Sequence, residues 1–167
     1  NIITVLKSTE ILKHLDYKIN DIHIKIGLNN VSNNTGFQGR WQVIQRKPMI
    51  ICDIAHNEAA LSEVISQLMD MEYSDLHFII GFSNDKNLKK ISKIFPEDSK
   101  YYFVQSKVGR ARDAKEVRDI FKLNNRCGDY YKSIENTINY VKGISKENDI
   151  IFIGGSTFVV SEIFEKH

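Results

Sequence analysis

Residues 49 to 69 read MIICDIAHNEAALSEVISQLM, an apolar, β-branched run that gives way to helical spacing, and Asp53, His56 and Asn57 stand between the two halves. A carboxylate at the end of a buried strand can accept hydrogen bonds from vicinal hydroxyls such as those of a ribose. A helix that opens beside it turns unpaired backbone N–H groups toward an anion. Together these groups suit a nucleotide. Capping accounts for the same residue types equally well: Asn57 is a good N-cap, Glu58 complements the helix dipole, and Asp53 can simply fix the turn. A lone histidine such as His56 is more often a satisfied structural side chain than a catalyst.

The elements that must hold these residues follow a regular rhythm from residue 42 onward. The runs WQVIQR and MIICD flank Lys47-Pro48 and read as an antiparallel hairpin. Ala60, Leu61, Val64, Ile65, Leu68 and Met71 recur at spacings of three and four, which predicts a helix. LHFIIGF is the apolar run of a strand buried on both faces. A helix over NLKKISKIF stops at Pro96, and YYFVQS, DAKEVRDIFKL, DYY, SIENTINYVKGI, DIIFIG and STFVVSEIFEK continue the alternation of strand and helix. Strands separated by helices imply right-handed crossovers. The expected fold is α/β, a Rossmann-like three-layer sandwich of about six strands, mostly parallel with one antiparallel edge strand. In such a sheet the strand C-termini and helix N-termini share one rim, where ligands bind, and Asp53, His56 and Asn57 fall on it.

Residues 1–36 break the rhythm. They read as a helix over TVLKSTEILKHL, the polar break DYKIN, a helix over DIHIKIGLNNV and a flexible SNNTG. Two helices without sheet partners are expected to be the helical tail of a preceding domain plus a linker, with residues 37–167 as the second domain. The first residue is not methionine, which also suggests a chain cut from something longer.

Composition narrows the function classes. With 23 basic against 21 acidic residues interspersed along 167, no nucleic-acid stripe or polybasic membrane patch stands out. No apolar run approaches the ~20 residues of a membrane span. The two cysteines, Cys52 and Cys127, match neither a metal site nor a disulfide framework, which fits a reducing cytoplasm.

Thirteen residues before Asp53, Arg40 follows Gly39 in TGFQGRWQV, and the set GRWQV…P…ICDIAHN resembles the opening signature of a domain of the Mur ligase family. The resemblance is to the C-terminal domain of its folylpolyglutamate and dihydrofolate synthase members. GFSNDKN, GRARDAKEV and GGSTFVVSEIF resemble later segments of that domain in the same order, and INDIHIKIGLNNV resembles the helix before its linker. Glu58 stands where the family commonly has proline, a first helical position whose N–H is unpaired in either case.

The resemblance implies an ATP-dependent amide ligase that activates a folate or dihydropteroate carboxylate as an acyl phosphate for attack by L-glutamate. It implies that Arg40 reaches the ATP phosphates, that Asp53 holds the ribose or adjoining nucleotide edge with Asn57 beside it, and that His56 lies by the phosphates or the incoming glutamate. Ser83, Asp85 and Lys86 follow FIIGF on the same rim as candidate glutamate contacts, although a charge cluster opening a helix is usually solvated capping. Arg110 and Arg112 can capture a carboxylate or merely decorate a surface. Ser156, after two glycines, opens a helix as an anion nest or a cap. The chain has no G-x-x-x-x-G-K-[ST] sequence, so the phosphate loop and the Mg2+ ligands are expected in an N-terminal partner domain of the same polypeptide. Two other readings share the fold: a nucleotide-binding or regulatory module without catalysis, and a Mur-type ligase for cell-wall precursors.

Overall fold

The structure, a computed structural model, describes residues 2–165, and the chain divides between Gln38 and Gly39 into two compact units. The first unit holds α1 (Ile2–His14), α2 (Asp21–Asn29) and a short α3 (Val31–Thr35). Asn20 caps α2 by accepting the His23 N–H at 2.9 Å, and Gly36 ends α3 at φ +65°. That left-handed glycine closes a helical turn where the sequence reading expects a flexible linker. None of the described residues of these three helices is buried.

The second unit begins with the hairpin β1 (Gln42–Arg46) and β2 (Met49–Asp53). It continues through α4 (Glu58–Met69), β3 (Leu76–Ile80), α5 (Leu88–Ile91), β4 (Lys100–Val104), α6 (Ala114–Lys122), β5 (Gly128–Tyr131), α7 (Ile134–Ile144), β6 (Ile150–Gly154) and α8 (Thr157–Phe164). The strands form one six-stranded sheet in the order β1-β2-β6-β3-β4-β5, with β1 antiparallel to β2 and the rest parallel. The expected architecture is therefore the observed one. Strands β3 and β6 are buried along their whole length because they lie in the middle of the sheet with helices on both faces.

Two apolar layers cover the sheet. Leu61, Val64, Ile65 and Leu68 of α4, Leu88 and Ile91 of α5, and Val117 and Phe121 of α6 pack on one face. Ile134 and Val141 of α7 and Val159 and Val160 of α8 pack on the other. The predicted helix over residues 87–95 is shorter than its pattern: α5 tightens into a 3-10 turn, Ser92–Ile94, and Phe95 is extended because Pro96 disfavours helical backbone in the residue before it. The predicted closing helix starts one residue later, since Ser156 is its cap, and its expected end at Lys166 lies outside the described residues.

This topology makes a crevice. The helix after β2 lies on one face and the helix after the neighbouring β6 lies on the other, so the carboxyl ends of these two strands flank a switch point.

Candidate active site

Asp53 closes β2 at that switch point, only 5% exposed. Its Oδ1 accepts the Ala55 N–H and its Oδ2 the Trp41 N–H, both at 2.7 Å. A carboxylate has about four lone-pair directions, so it keeps acceptor capacity after these two bonds. One residue on, the Ile54 N–H donates to the Gly39 carbonyl at 2.8 Å. The Gly39–Arg40–Trp41 turn is thereby fastened at both ends to the β2–α4 corner, with the exposed Arg40 side chain between the fastenings.

The turn is tight. Gly39 sits at φ +78°, and a Cβ there would lie 2.9 Å from both Ile54 and Val160, so only glycine fits. Trp41 has φ +41°, rare for a bulky residue and held in place by the surrounding bonds, while its ring packs partly buried on the core.

His56 and Asn57 follow in the same corner. The His56 Nδ1 lies 2.9 Å from the Ile54 carbonyl, which can only accept, so Nδ1 carries a proton and Nε2 is the nitrogen left to a ligand. Asn57 caps α4, its Oδ1 accepting the Ala60 N–H at 2.9 Å. The capping role is thus geometric fact, and the amide nitrogen is the part of Asn57 that remains for other contacts.

The other candidates form a second group on the same rim. Ser83 is buried and bridges Ala111, the Asn84 N–H donates to the Arg110 carbonyl at 3.0 Å, and Lys86 donates to Asp85 at 2.7 Å. The Lys86 ammonium, helped by the Ser83 hydroxyl, holds the Asp85 carboxyl down to about 2. The Arg110 guanidinium stacks 4.7 Å from the centre of the Phe158 ring, and Ser156 caps α8 by accepting the Phe158 N–H at 3.2 Å. Between the two groups runs the Gly154-Gly155 turn at the end of β6. A Cβ on Gly154 would stand 2.7 Å from the Asp53 carbonyl, and one on Gly155, at φ +84°, would stand 2.8 Å from the Gly81 carbonyl. The glycines thus let the ends of β2, β6 and β3 close together on one rim.

Sequence reasoning misread or passed over several side chains. Arg112, read from the sequence as a carboxylate contact or surface decoration, is instead a strut: its guanidinium donates to the Asn84 and Lys86 carbonyls and pairs with Glu116, fixing the loop after β3. Gln42 accepts the Gly39 N–H at 2.8 Å, a contact foreshadowed only by its place two residues after Arg40. At the far end of the sheet His77 and Asp149 are buried, with His77 Nε2 3.3 Å from Asp149 Oδ2 and Nδ1 3.1 Å from the Tyr102 hydroxyl. Asp75, His77 and Asp149 are the group of potential metal ligands among the described residues. Lys100 and backbone N–H groups already occupy those carboxylates.

The model of the Mur ligase, glutamate ligase domain, matches residues 39–157, from the glycine of the tight turn to the first turn of α8. The chain belongs to that family. It is 28% identical over 155 residues to a dihydrofolate synthase/folylpolyglutamate synthase of Buchnera aphidicola subsp. Schizaphis graminum, covering 90% of this chain and 36% of the relative. It is 25% identical over 130 residues to a probable bifunctional folylpolyglutamate synthase/dihydropteroate synthase of Haloferax volcanii, covering 77% of this chain and 16% of the relative. A bifunctional folylpolyglutamate synthase/dihydrofolate synthase solved with Mn, AMPPNP and L-glutamate bound has the same fold, with a TM-score of 0.79 at 19% identity over 93% of this chain and 37% of that one. The chain thus spans little more than a third of these relatives at most. No helix among the described residues is long and apolar enough to cross a membrane.

Proposed function

We propose that this chain supplies the C-terminal half of the active site of an ATP-dependent amide ligase joining L-glutamate to a folate or dihydropteroate carboxylate. In this reading residues 1–36 are the end of a preceding ATP-binding domain plus its linker, and residues 37–167 are the glutamate ligase domain of a cytoplasmic enzyme. The observation that carries it is the anchored Gly39–Trp41 turn, which sets an exposed arginine at the crevice between β2 and β6 beside the open end of α4. An arginine fork matches phosphate oxygens and neutralises charge that grows during phosphoryl transfer.

ATP would convert the substrate carboxylate into an acyl phosphate, giving one carboxyl oxygen the character of a good leaving group. Arg40 holds the phosphates. Asp53 does two things: it fastens the Arg40 turn through Trp41 and offers its remaining lone pairs to the nucleotide's ribose. His56, with Nδ1 engaged by Ile54, presents Nε2 to the phosphates or to the amino group of glutamate. Asn57 keeps the first turn of α4 aimed at the crevice. Lys86, Arg110, Ser83, Asp85 and Ser156 lie along the rim as contacts for glutamate, the two cations suiting its carboxylates.

Arg40 on the rim fits a triphosphate, and among the described residues the group that could hold a cation, Asp75–His77–Asp149, is at the other end of the sheet. In this reading the Mg2+ ligands, like the phosphate loop, belong to the partner domain. Closure of that domain on this one would exclude water from a hydrolysable intermediate.

The test is ATP-dependent transfer of radiolabelled glutamate to dihydropteroate and to tetrahydrofolate by the full-length protein. Transfer to either supports the reading and says which activity is present. Nucleotide binding without transfer to either, or transfer only to a cell-wall precursor, would replace it.

A further inference from the structure

We infer that Gln42 is a positioning residue for this ligation, acting through Arg40; the inference rests on the function proposed above. Three hydrogen bonds hold the two residues that flank Arg40. Backbone Ile54 and the Asp53 carboxylate make two of them, at 2.8 and 2.7 Å. The third comes from the Gln42 side chain, whose Oε1 accepts the N–H of the buried Gly39 at 2.8 Å.

Gln42 is well placed for this. It opens β1 opposite Cys52, one residue before Asp53, so its backbone is fixed by the hairpin while its side chain turns back over the Arg40 loop. Both flanking residues have positive φ, +78° at Gly39 and +41° at Trp41, a conformation a free loop would not keep. Gly39 cannot relax sideways either, since Ile54 and Val160 crowd the space where a side chain would start. Removing the Gln42 oxygen leaves the Gly39 N–H without its acceptor and the amino end of the turn held by the Ile54–Gly39 backbone bond alone, while Trp41 stays tied to Asp53. The guanidinium would then still reach phosphate but no longer at a fixed angle. Misplacement of such a group by about 1 Å lowers turnover on the order of a hundredfold.

The experiment is a double-mutant cycle in the full-length enzyme, measuring kcat and the KM for ATP in glutamate transfer. Gln42→Ala should lower kcat by roughly ten- to a hundredfold with the ATP KM changed less than about threefold. Gln42→Glu, which keeps an acceptor oxygen, should recover most of the loss. In an Arg40→Ala background Gln42→Ala should cost no further turnover, because a residue acting only through Arg40 has nothing left to position. Losses that multiply in the double variant, or a Gln42→Ala enzyme as fast as wild type, would overturn the inference while leaving the proposed function intact. A wild-type enzyme that transfers no glutamate removes both. If Gln42→Ala loses its cooperative melt, Gln42→Leu keeps the bulk without the acceptor and enters the same cycle; if neither melts cooperatively, Gln42 serves the fold and the inference falls.

Discussion

At the amino end of the sheet Asp149 accepts the backbone N–H groups of Asp75 at 3.1 Å through Oδ1 and of Lys146 at 2.8 Å through Oδ2, and His77 stands against that same Oδ2. At the carboxyl end Asp53 likewise accepts two backbone N–H groups, from Trp41 and Ala55. Both aspartates are nearly inaccessible, yet what they fasten differs. Asp149 ties the start of β3 to the start of β6, joining two buried strands, and no positive-φ residue stands next to it in the chain. Asp53 ties down a turn with two positive-φ residues whose middle member is an exposed arginine. A buried carboxylate is therefore not itself a sign of function. The sign is what it holds in place, and strain held next to an exposed cation points to chemistry.

The comparison breaks or sharpens on substitution. Asp149→Ala should destabilise the fold on the order of 3–5 kcal/mol, because two part-buried N–H groups and the buried His77 ring lose their acceptor. Urea unfolding would read this, and the folded fraction should keep its turnover per molecule. Arg40→Ala should do the converse in the full-length enzyme: about 10²–10³-fold lower kcat in glutamate transfer with little change in the melting midpoint, since the side chain is exposed. Equal loss of stability and rate in both variants would erase the distinction between the two ends.

Acid should act on the amino end first. Burial pushes the His77 pKa below its ordinary 6.5, with Lys100 lowering it further, while Asp149 and Asp75 pull it up without cancelling the burial. The Tyr102 hydroxyl facing its other nitrogen is itself pushed up to about 12 by burial, so it is un-ionised throughout this range. The unfolded chain then binds a proton near pH 6.5 that the folded chain refuses. Stability is full above that pH and declines as pH falls below it, by at most about 1.4 kcal/mol per unit for this one group. Unfolding midpoints between pH 7.5 and 5.5 should fall more steeply for wild type than for His77→Gln. Identical slopes would show that His77 is not the group responsible.

The elements were legible because the sheet is parallel and buried, so its strands had to be short apolar runs and its helices amphipathic. MIICD, LHFII and IIFIG announce β2, β3 and β6 without ambiguity. The corner around Asp53 was visible as polar residues interrupting such a run. What the sequence withheld is where side chains turn. Nothing in RWQV says that the glutamine folds back onto Gly39, or that Trp41 takes a positive φ, because both depend on the neighbouring strand-to-helix corner. The His77–Asp149 contact joins residues 72 apart in the chain and has no local signature at all. Arg112 read as a carboxylate contact or surface decoration for the same reason, since its carbonyl partners lie on the loop after β3.

Asn57 belongs to both readings of the rim, and the smallest effect separates them. Its Oδ1 caps α4, so Asn57→Ala should cost ~1 kcal/mol through the orphaned Ala60 N–H. Asn57→Ser restores a capping oxygen but carries no amide nitrogen, so its melting midpoint should return to that of wild type. If Asn57 serves only to aim the first turn of α4, the serine variant should also keep the wild-type KM for ATP. A KM several-fold higher in a fully stable serine variant would instead show that the amide nitrogen reaches the nucleotide, moving Asn57 from the group that shapes the crevice to the group that fills it.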